Sequence, residues 1–197
     1  MSKTVEYYFD FGSPAAYLAS TQLPALASDT GATVLWRPML LGGVFVATGN
    51  ASPASVPAKG KYIFRDFARF AGRYGVPLNT NPFFPINTLT LMRIAVGLQM
   101  RQDPRFMAYC NTMFGAIWVE AHNMNDPATV ASVLQAAGFD AAALLALASE
   151  PAIKDKLKAQ TEEAVARGVF GAPTFFVADQ MFWGQDRLDF VREALAH

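Results

Sequence analysis

Ser13-Pro14 follows the apolar run Val5-Glu6-Tyr7-Tyr8-Phe9-Asp10-Phe11 and opens a helix-like segment. One hydroxyl therefore stands where a chain tip meets a helix N-terminus. Ser before Pro suits an N-cap followed by proline at the first helical position, and the unpaired N–H groups of such an end favour anions. A thiolate would be held well there. The four residues read Ser13-Pro14-Ala15-Ala16, so dithiol chemistry at this turn is excluded. The plainer reading makes Ser13 a cap and nothing more.

Three further places carry polar groups of a matching kind. Gly171-Ala172-Pro173-Thr174 precedes a strand-like run. Pro173 reads as an ordinary first-strand proline or, if the fold is thioredoxin-like, as a cis proline in a loop facing Ser13. In the second case it would present the Ala172 N–H and C=O outward, to pair with a peptide backbone. Gly184-Gln185-Asp186-Arg187 opens the last helix. Asp186 is expected to be its N-cap, and a carboxylate at an exposed end can also receive an ammonium group. Lys59 and Lys61 follow a loop that contains Gly49-Asn50; they are solvated lysines, or they help an amide hold a carboxylate. A small anionic thiol peptide would use all four places.

The elements that must position these groups are legible in the hydrophobic pattern. After the first strand, Ala15 to Ala27 is helical in period, with Pro24 expected to kink it and Gly31 to stop it. Thr33-Val34-Leu35-Trp36-Arg37 is a second strand ending at Pro38, which completes a right-handed parallel unit. A Gly-rich loop is expected from Met39 to Pro57. Helices follow near 58–74, 88–100, 104–119, 128–137, 141–148 and 152–167, with no strand between them. Gly75, Gly138 and Gly168 are their stops; Asn87, Asp103-Pro104 and Asp126-Pro127 are their starts. The stripe Ile63, Phe67, Phe70, Tyr74 faces a core. Strands return at 173–177 and 180–183 around a turn at Ala178-Asp179, before a last helix from Asp186 to Ala196. The order βαβ, helices, ββα predicts an α/β, thioredoxin-like mixed sheet with a large all-helical insertion. Residues 1–38 and 168–197 form the thioredoxin-like part, and residues 39–167 the connecting loop and insertion.

Bulk properties limit the partners. Of 197 residues, 52% are hydrophobic, enough for a well-buried core. Sixteen basic and sixteen acidic residues cancel, so there is no general basic field for a nucleic acid. The apolar run 141–148 is far shorter than the about 20 residues that span a bilayer. The chain goes from Met1-Ser2-Lys3 straight into a strand pattern, which makes the cytoplasm the expected location. Cys110 sits in a helical pattern as a small buried hydrophobe. With Cys110, His122 and His197 as the soft ligands, no metal-binding spacing is present.

Taken together, these segments resemble the kappa-class glutathione transferases and, within that group, the bacterial 2-hydroxychromene-2-carboxylate isomerases. The resemblance is carried by Phe9-Asp10-Phe11-Gly12-Ser13-Pro14, Arg37-Pro38-Met39-Leu40-Leu41-Gly42-Gly43-Val44-Phe45, Thr48-Gly49-Asn50 and Phe84-Pro85-Ile86-Asn87-Thr88. It continues in Gly168-Val169-Phe170-Gly171-Ala172-Pro173-Thr174 and Phe182-Trp183-Gly184-Gln185-Asp186-Arg187-Leu188. It implies that Ser13 hydrogen-bonds the glutathione sulfur, and that Ala172 before a cis Pro173 pairs with the cysteinyl backbone. It also implies that Gln185 and Asp186 hold the γ-glutamyl end, with Asn50 and Lys59 at the tripeptide. Gly12 stands where relatives often have a bulkier residue. A homodimer acting on a small aromatic carboxylate is implied as well. Three activities fit: an isomerase that recycles glutathione, a transferase that consumes it, and a non-catalytic module that binds a peptide.

Overall fold

The computed structural model describes residues 3–196; Met1, Ser2 and His197 lie outside the described residues. Strand β1 (Thr4–Phe9), helix α1 (Pro14–Thr30) and strand β2 (Thr33–Pro38) form the expected parallel unit. Strands β3 (Thr174–Val177) and β4 (Gln180–Trp183) return antiparallel, giving one mixed sheet in the order β2-β1-β3-β4. The register sets Tyr7 opposite Trp36 on one side and Phe175 on the other, and Tyr8 opposite Arg37 and Thr174. Since alternate residues of a strand face opposite sides, each face of the sheet receives its own cover.

One face carries Val5, Tyr7 and Phe9, stacked with Phe175 and met edge-on by Trp36. Such offset and edge-on pairs suit the ring quadrupoles. The buried Tyr7 hydroxyl donates to the Ala16 carbonyl at 2.7 Å, which ties α1 to this face. The opposite face carries Tyr8 and Phe176 against Met39, Val44, Ala164 and Val169. Arg167 closes its edge: the guanidinium lies 3.9 Å from the centre of the Phe176 ring and donates to Glu6 at 2.8 Å and to the Tyr8 hydroxyl at 2.7 Å.

Between β2 and β3 run α2 (Leu41–Thr48), α3 (Pro57–Tyr74), α4 (Leu89–Met100), α5 (Phe106–Trp118), α6 (Pro127–Ala136), α7 (Ala141–Leu147) and α8 (Pro151–Ala166), with α9 (Leu188–Ala196) closing the chain. The helical insertion is as expected, and its punctuation is largely local. Asp126 caps α6 by accepting from Ala128 and Thr129, and Gly75 ends α3 in the left-handed conformation. Helix α1 runs unbroken through Pro24, whose ring is exposed. Cys110 is fully buried, which pushes its thiol pKa well up and keeps it protonated.

Two local expectations are corrected. The stretch 39–57 is not one loop: it contains α2 and a 3₁₀ turn at Pro53–Ser55. Helix α2 has no side-chain cap of its own, and Gly42 and Gly43 weaken its signal. Its first N–H groups are answered from far away, Leu40 by Thr161 Oγ1 at 3.0 Å and Leu41 by Asp10 Oδ2 at 2.8 Å. Asp186, expected as the N-cap of the last helix, lies instead inside a 3₁₀ turn (Gln185–Arg187) that precedes α9. Its carboxylate pairs with Arg187 at 2.6 Å, because Gly184 already makes the turn with φ 109°.

Candidate functional site

Ser13 caps α1 as its sequence context predicts: its Oγ accepts from the Ala16 N–H at 3.1 Å. The same hydroxyl donates to the Ala172 carbonyl at 2.9 Å, across 159 residues of chain. The residue is 5% exposed, so this pair is largely shielded from water. The Ala172-Pro173 peptide is cis, and the proline loop lies directly opposite the helix N-terminus. The Ala172 carbonyl is not turned outward, as the sequence reading supposed; Ser13 holds it. The Ala172 N–H has no acceptor among the described residues.

Asn50 stands behind this loop. Its Nδ2 donates to the Phe170 carbonyl at 2.9 Å and its Oδ1 accepts from Ala51 N–H at 2.8 Å, so both ends of the amide are engaged with backbone. Trp183 packs on the loop from the sheet side, with its ring 5.0 Å from that of Phe170. A Cβ at Gly171 would lie 2.6 Å from Trp183 Nε1, so only glycine permits this approach.

The remaining residues singled out in the sequence spread along α3. Gln185 is buried, and its carbonyl accepts from the Tyr74 hydroxyl at 2.8 Å, at the last turn of α3. Asp186 is exposed beside it and paired with Arg187. Lys59 is exposed in the first turn of α3 and has no ion-pair partner among the described residues. Fifteen residues separate it from Tyr74, roughly 22 Å along the helix axis. Ser13, Ala172 and Pro173 thus converge directly, whereas Lys59 and Gln185 lie at opposite ends of α3.

Sequence reasoning missed what sits beneath the turn. Asp10 is 1% exposed and accepts three hydrogen bonds: from Gly12 N–H at 2.8 Å, Thr88 Oγ1 at 2.6 Å and Leu41 N–H at 2.8 Å. Burial raises its pKa and the three donors pull it down, with burial the larger effect. Asp10 also accepts from the Ser13 N–H through its backbone carbonyl at 3.1 Å. One residue therefore fixes the loop before Ser13, the start of α2 and the start of α4. Trp118 adds a further tie, donating from Nε1 to the Phe11 carbonyl at 2.8 Å. A side chain at position 12 would press on Thr88, since a Cβ there lies 3.3 Å from Thr88 Cγ2. The available signal was an acidic residue directly after the aromatic end of β1, Tyr7-Tyr8-Phe9.

A helix N-terminus, a serine in place of a cysteine pair and a cis-proline loop set opposite it define a thioredoxin-type site without its dithiol. The chain belongs to the DSBA-like thioredoxin domain family, whose model matches residues 4–196. Within that family it is similar to 2-hydroxychromene-2-carboxylate isomerase of Sphingobium xenophagum, 36% identical over 99% of each chain. A solved 2-hydroxychromene-2-carboxylate isomerase structure superposes with a TM-score of 0.83 at 35% identity, covering 98% of this chain and 94% of that one. Glutathione S-transferase kappa 1 of Rattus norvegicus is more distant, 27% identical over 95% of this chain and 88% of that one.

Proposed function

We propose that the protein is a glutathione-dependent isomerase that converts 2-hydroxychromene-2-carboxylate into trans-o-hydroxybenzylidenepyruvate, in the degradation of naphthalene-type aromatics. The observation that carries the reading is the Ser13–Ala172 pair: a hydroxyl and a backbone amide facing one another at a helix N-terminus. The free Ala172 N–H and the rotatable Ser13 hydroxyl fit a bound thiol peptide. Ser13, Ala172 and Pro173 would take the cysteinyl part, Gln185 and Asp186 the γ-glutamyl end, and Asn50 and Lys59 would support the rest.

The hydroxyl of Ser13 has a single proton, which in this structure points at the Ala172 carbonyl. Rotating it toward a bound sulfur frees that carbonyl to accept an amide N–H of the peptide, so the exchange leaves no buried group unanswered. A free thiol titrates near about 8.5, and holding it ionised at neutral pH requires roughly 2–3 kcal/mol. The α1 N-terminus supplies up to about 2 kcal/mol, and a Ser13 hydrogen bond to a charged sulfur about 1.5–3 kcal/mol. Held by Ser13 and the Ala172 backbone, glutathione would supply a thiolate nucleophile for reversible addition to a conjugated acceptor.

The reading includes a cytoplasmic homodimer. No helix of the described residues is long and apolar enough to cross a membrane. The likeness to a kappa-class transferase supports a second reading, in which glutathione is consumed in conjugates. Mixing the protein with 2-hydroxychromene-2-carboxylate, with and without glutathione, while counting free thiol separates the two. Isomerisation that requires glutathione and leaves the thiol count constant is the expected result; a falling count supports the transferase.

A further inference from the structure

Apart from the Ser13 turn, a cavity of about 540 Å³ lies between α2, α4 and α8. Its volume falls in the range of about 300–1,000 Å³ typical of small-molecule sites. Among the described residues that line it, none is one assigned above to glutathione. Its walls are apolar, with Leu40, Leu89, Leu157 and Val165 facing inward, while Arg93, Lys154 and Lys158 bring positive charge. Lys158 is 3.8 Å from Glu162, the acidic residue of the lining. Arg93 and Lys154 have no carboxylate partner among the described residues.

Arg93 is the charged residue of α4, whose sequence Leu-Thr-Leu-Met-Arg-Ile-Ala-Val-Gly-Leu-Gln-Met is otherwise uncharged. Its neighbours Leu91, Met92, Ile94, Ala95 and Val96 are buried. The Arg93 Nε is shielded from solvent and has no acceptor among the described residues. Burying an N–H without an acceptor is unfavourable, and a guanidinium without a counter-charge more so. A planar fork of N–H donors matches a carboxylate in geometry as well as charge.

We infer that this cavity is a second binding site, for a carboxylate carried on a compact apolar body, with Arg93 as the group that receives the anion. The apolar body lies against the leucine and valine walls, and Lys154 adds charge at the rim. Residues flanking the cavity reach the Ser13 turn through Asp10, which accepts from Leu41 and Thr88 next to the lining residues Leu40 and Leu89. The inference does not depend on the isomerase reading.

The test is calorimetric titration of the full-length protein with 2-naphthoate, with 2-naphthamide and with inorganic phosphate. Binding of 2-naphthoate at least tenfold tighter than either control is expected, because the amide lacks the charge and phosphate lacks the apolar body. Arg93→Leu should weaken 2-naphthoate at least tenfold. Ala47→Phe, which fills the cavity from an exposed position of α2, should do the same without touching a charge. Ser13→Ala and saturating glutathione should leave the affinity within about twofold. Unchanged binding in both Arg93→Leu and Ala47→Phe overturns the proposal, as does equal affinity for the amide or absence of 2-naphthoate binding. Competition by glutathione overturns it too, by assigning the probe to the Ser13 site. Loss of glutathione-dependent isomerisation alone would strike the function proposed above and leave this cavity's role standing.

Discussion

The Thr88 hydroxyl donates to the Asp10 carboxylate at 2.6 Å, joining the first residue after β1 to the start of α4 across 78 residues. With Gly12 and Leu41 on the same carboxylate, the turn that presents Ser13 is braced from the helical insertion. A carboxyl group this deeply buried is tolerated because its oxygens are answered from several sides.

Burial raises the pKa of Asp10, so the folded protein holds that proton more tightly than the unfolded chain. Its share of stability is therefore complete at pH values below the ordinary aspartate range and is lost as pH rises through the folded value. Asp10→Asn removes this titration while turning an amide N–H₂ toward one of three donors. Urea unfolding at pH 4 and pH 7 should show the variant less stable at both, with a smaller deficit at pH 7. The deficit should shrink between the two pH values by at most about 1.4 kcal/mol for each unit by which the native pKa is raised. A deficit that grows with pH would refute this assignment.

Ser13→Ala removes both the cap of α1 and the hydroxyl facing Ala172. Stability should fall by about 1 kcal/mol, the usual cost of losing a cap. Under the proposed function, the bound thiol of glutathione should titrate higher, and isomerisation should slow by roughly 10–100-fold at neutral pH through loss of a hydrogen bond worth about 1.5–3 kcal/mol to a charged sulfur. Thiolate absorbance against pH reads this directly, and an unchanged titration would remove Ser13 from the chemistry.

Gly171→Ala should displace the proline loop, since the added Cβ would lie 2.6 Å from Trp183 Nε1. Glutathione affinity should drop about tenfold, with a change in Trp183 fluorescence. Trp183→Leu in the same chain should recover part of the affinity, because it removes the colliding ring. If the second substitution restores nothing, Trp183 does not set the position of the loop.

Two helix glycines should respond with opposite signs. Gly97, in α4, packs where a Cβ would lie 2.7 Å from Leu147 Cγ and 2.8 Å from Ile153 Cδ1. Overpacking costs about 1–3 kcal/mol, which outweighs the gain of up to about 1 kcal/mol from helix propensity. Gly115, in α5, has no atom of the described residues within 4 Å of its ideal Cβ apart from its chain neighbours and its own helix backbone. Gly115→Ala should therefore raise the melting temperature by a few degrees and Gly97→Ala should lower it. Thermal melts of the two variants check the pair.

Much of the architecture was legible in the chain because it is specified within a few residues. Ser13-Pro14 capping α1, Asp126-Pro127 opening α6, Gly31 and Gly75 closing their helices, and the strand-forming runs at β1, β2, β3 and β4 all use neighbours in sequence. Helix α2 was hidden because the groups that answer its first N–H donors are Asp10 and Thr161, distant in sequence on either side. Asp186 was misread as a cap because a positive φ at Gly184, which turns the chain first, leaves no local mark beyond the glycine itself.

The candidate site divides in the same way. Residue types alone determined that Ser13 stands at a helix N-terminus without a dithiol, and that Pro173 precedes a returning strand. Only the tertiary structure decided that the Ser13 hydroxyl is spent on the Ala172 carbonyl, that Asn50 is tied to Phe170, and that Arg93 lines a cavity with no ion-pair partner among the described residues. The physical reason is range. Caps, turns and hydrophobic period act over about one helical turn, whereas these hydrogen bonds and this unpaired charge depend on groups brought together only when the sheet and the insertion close on each other.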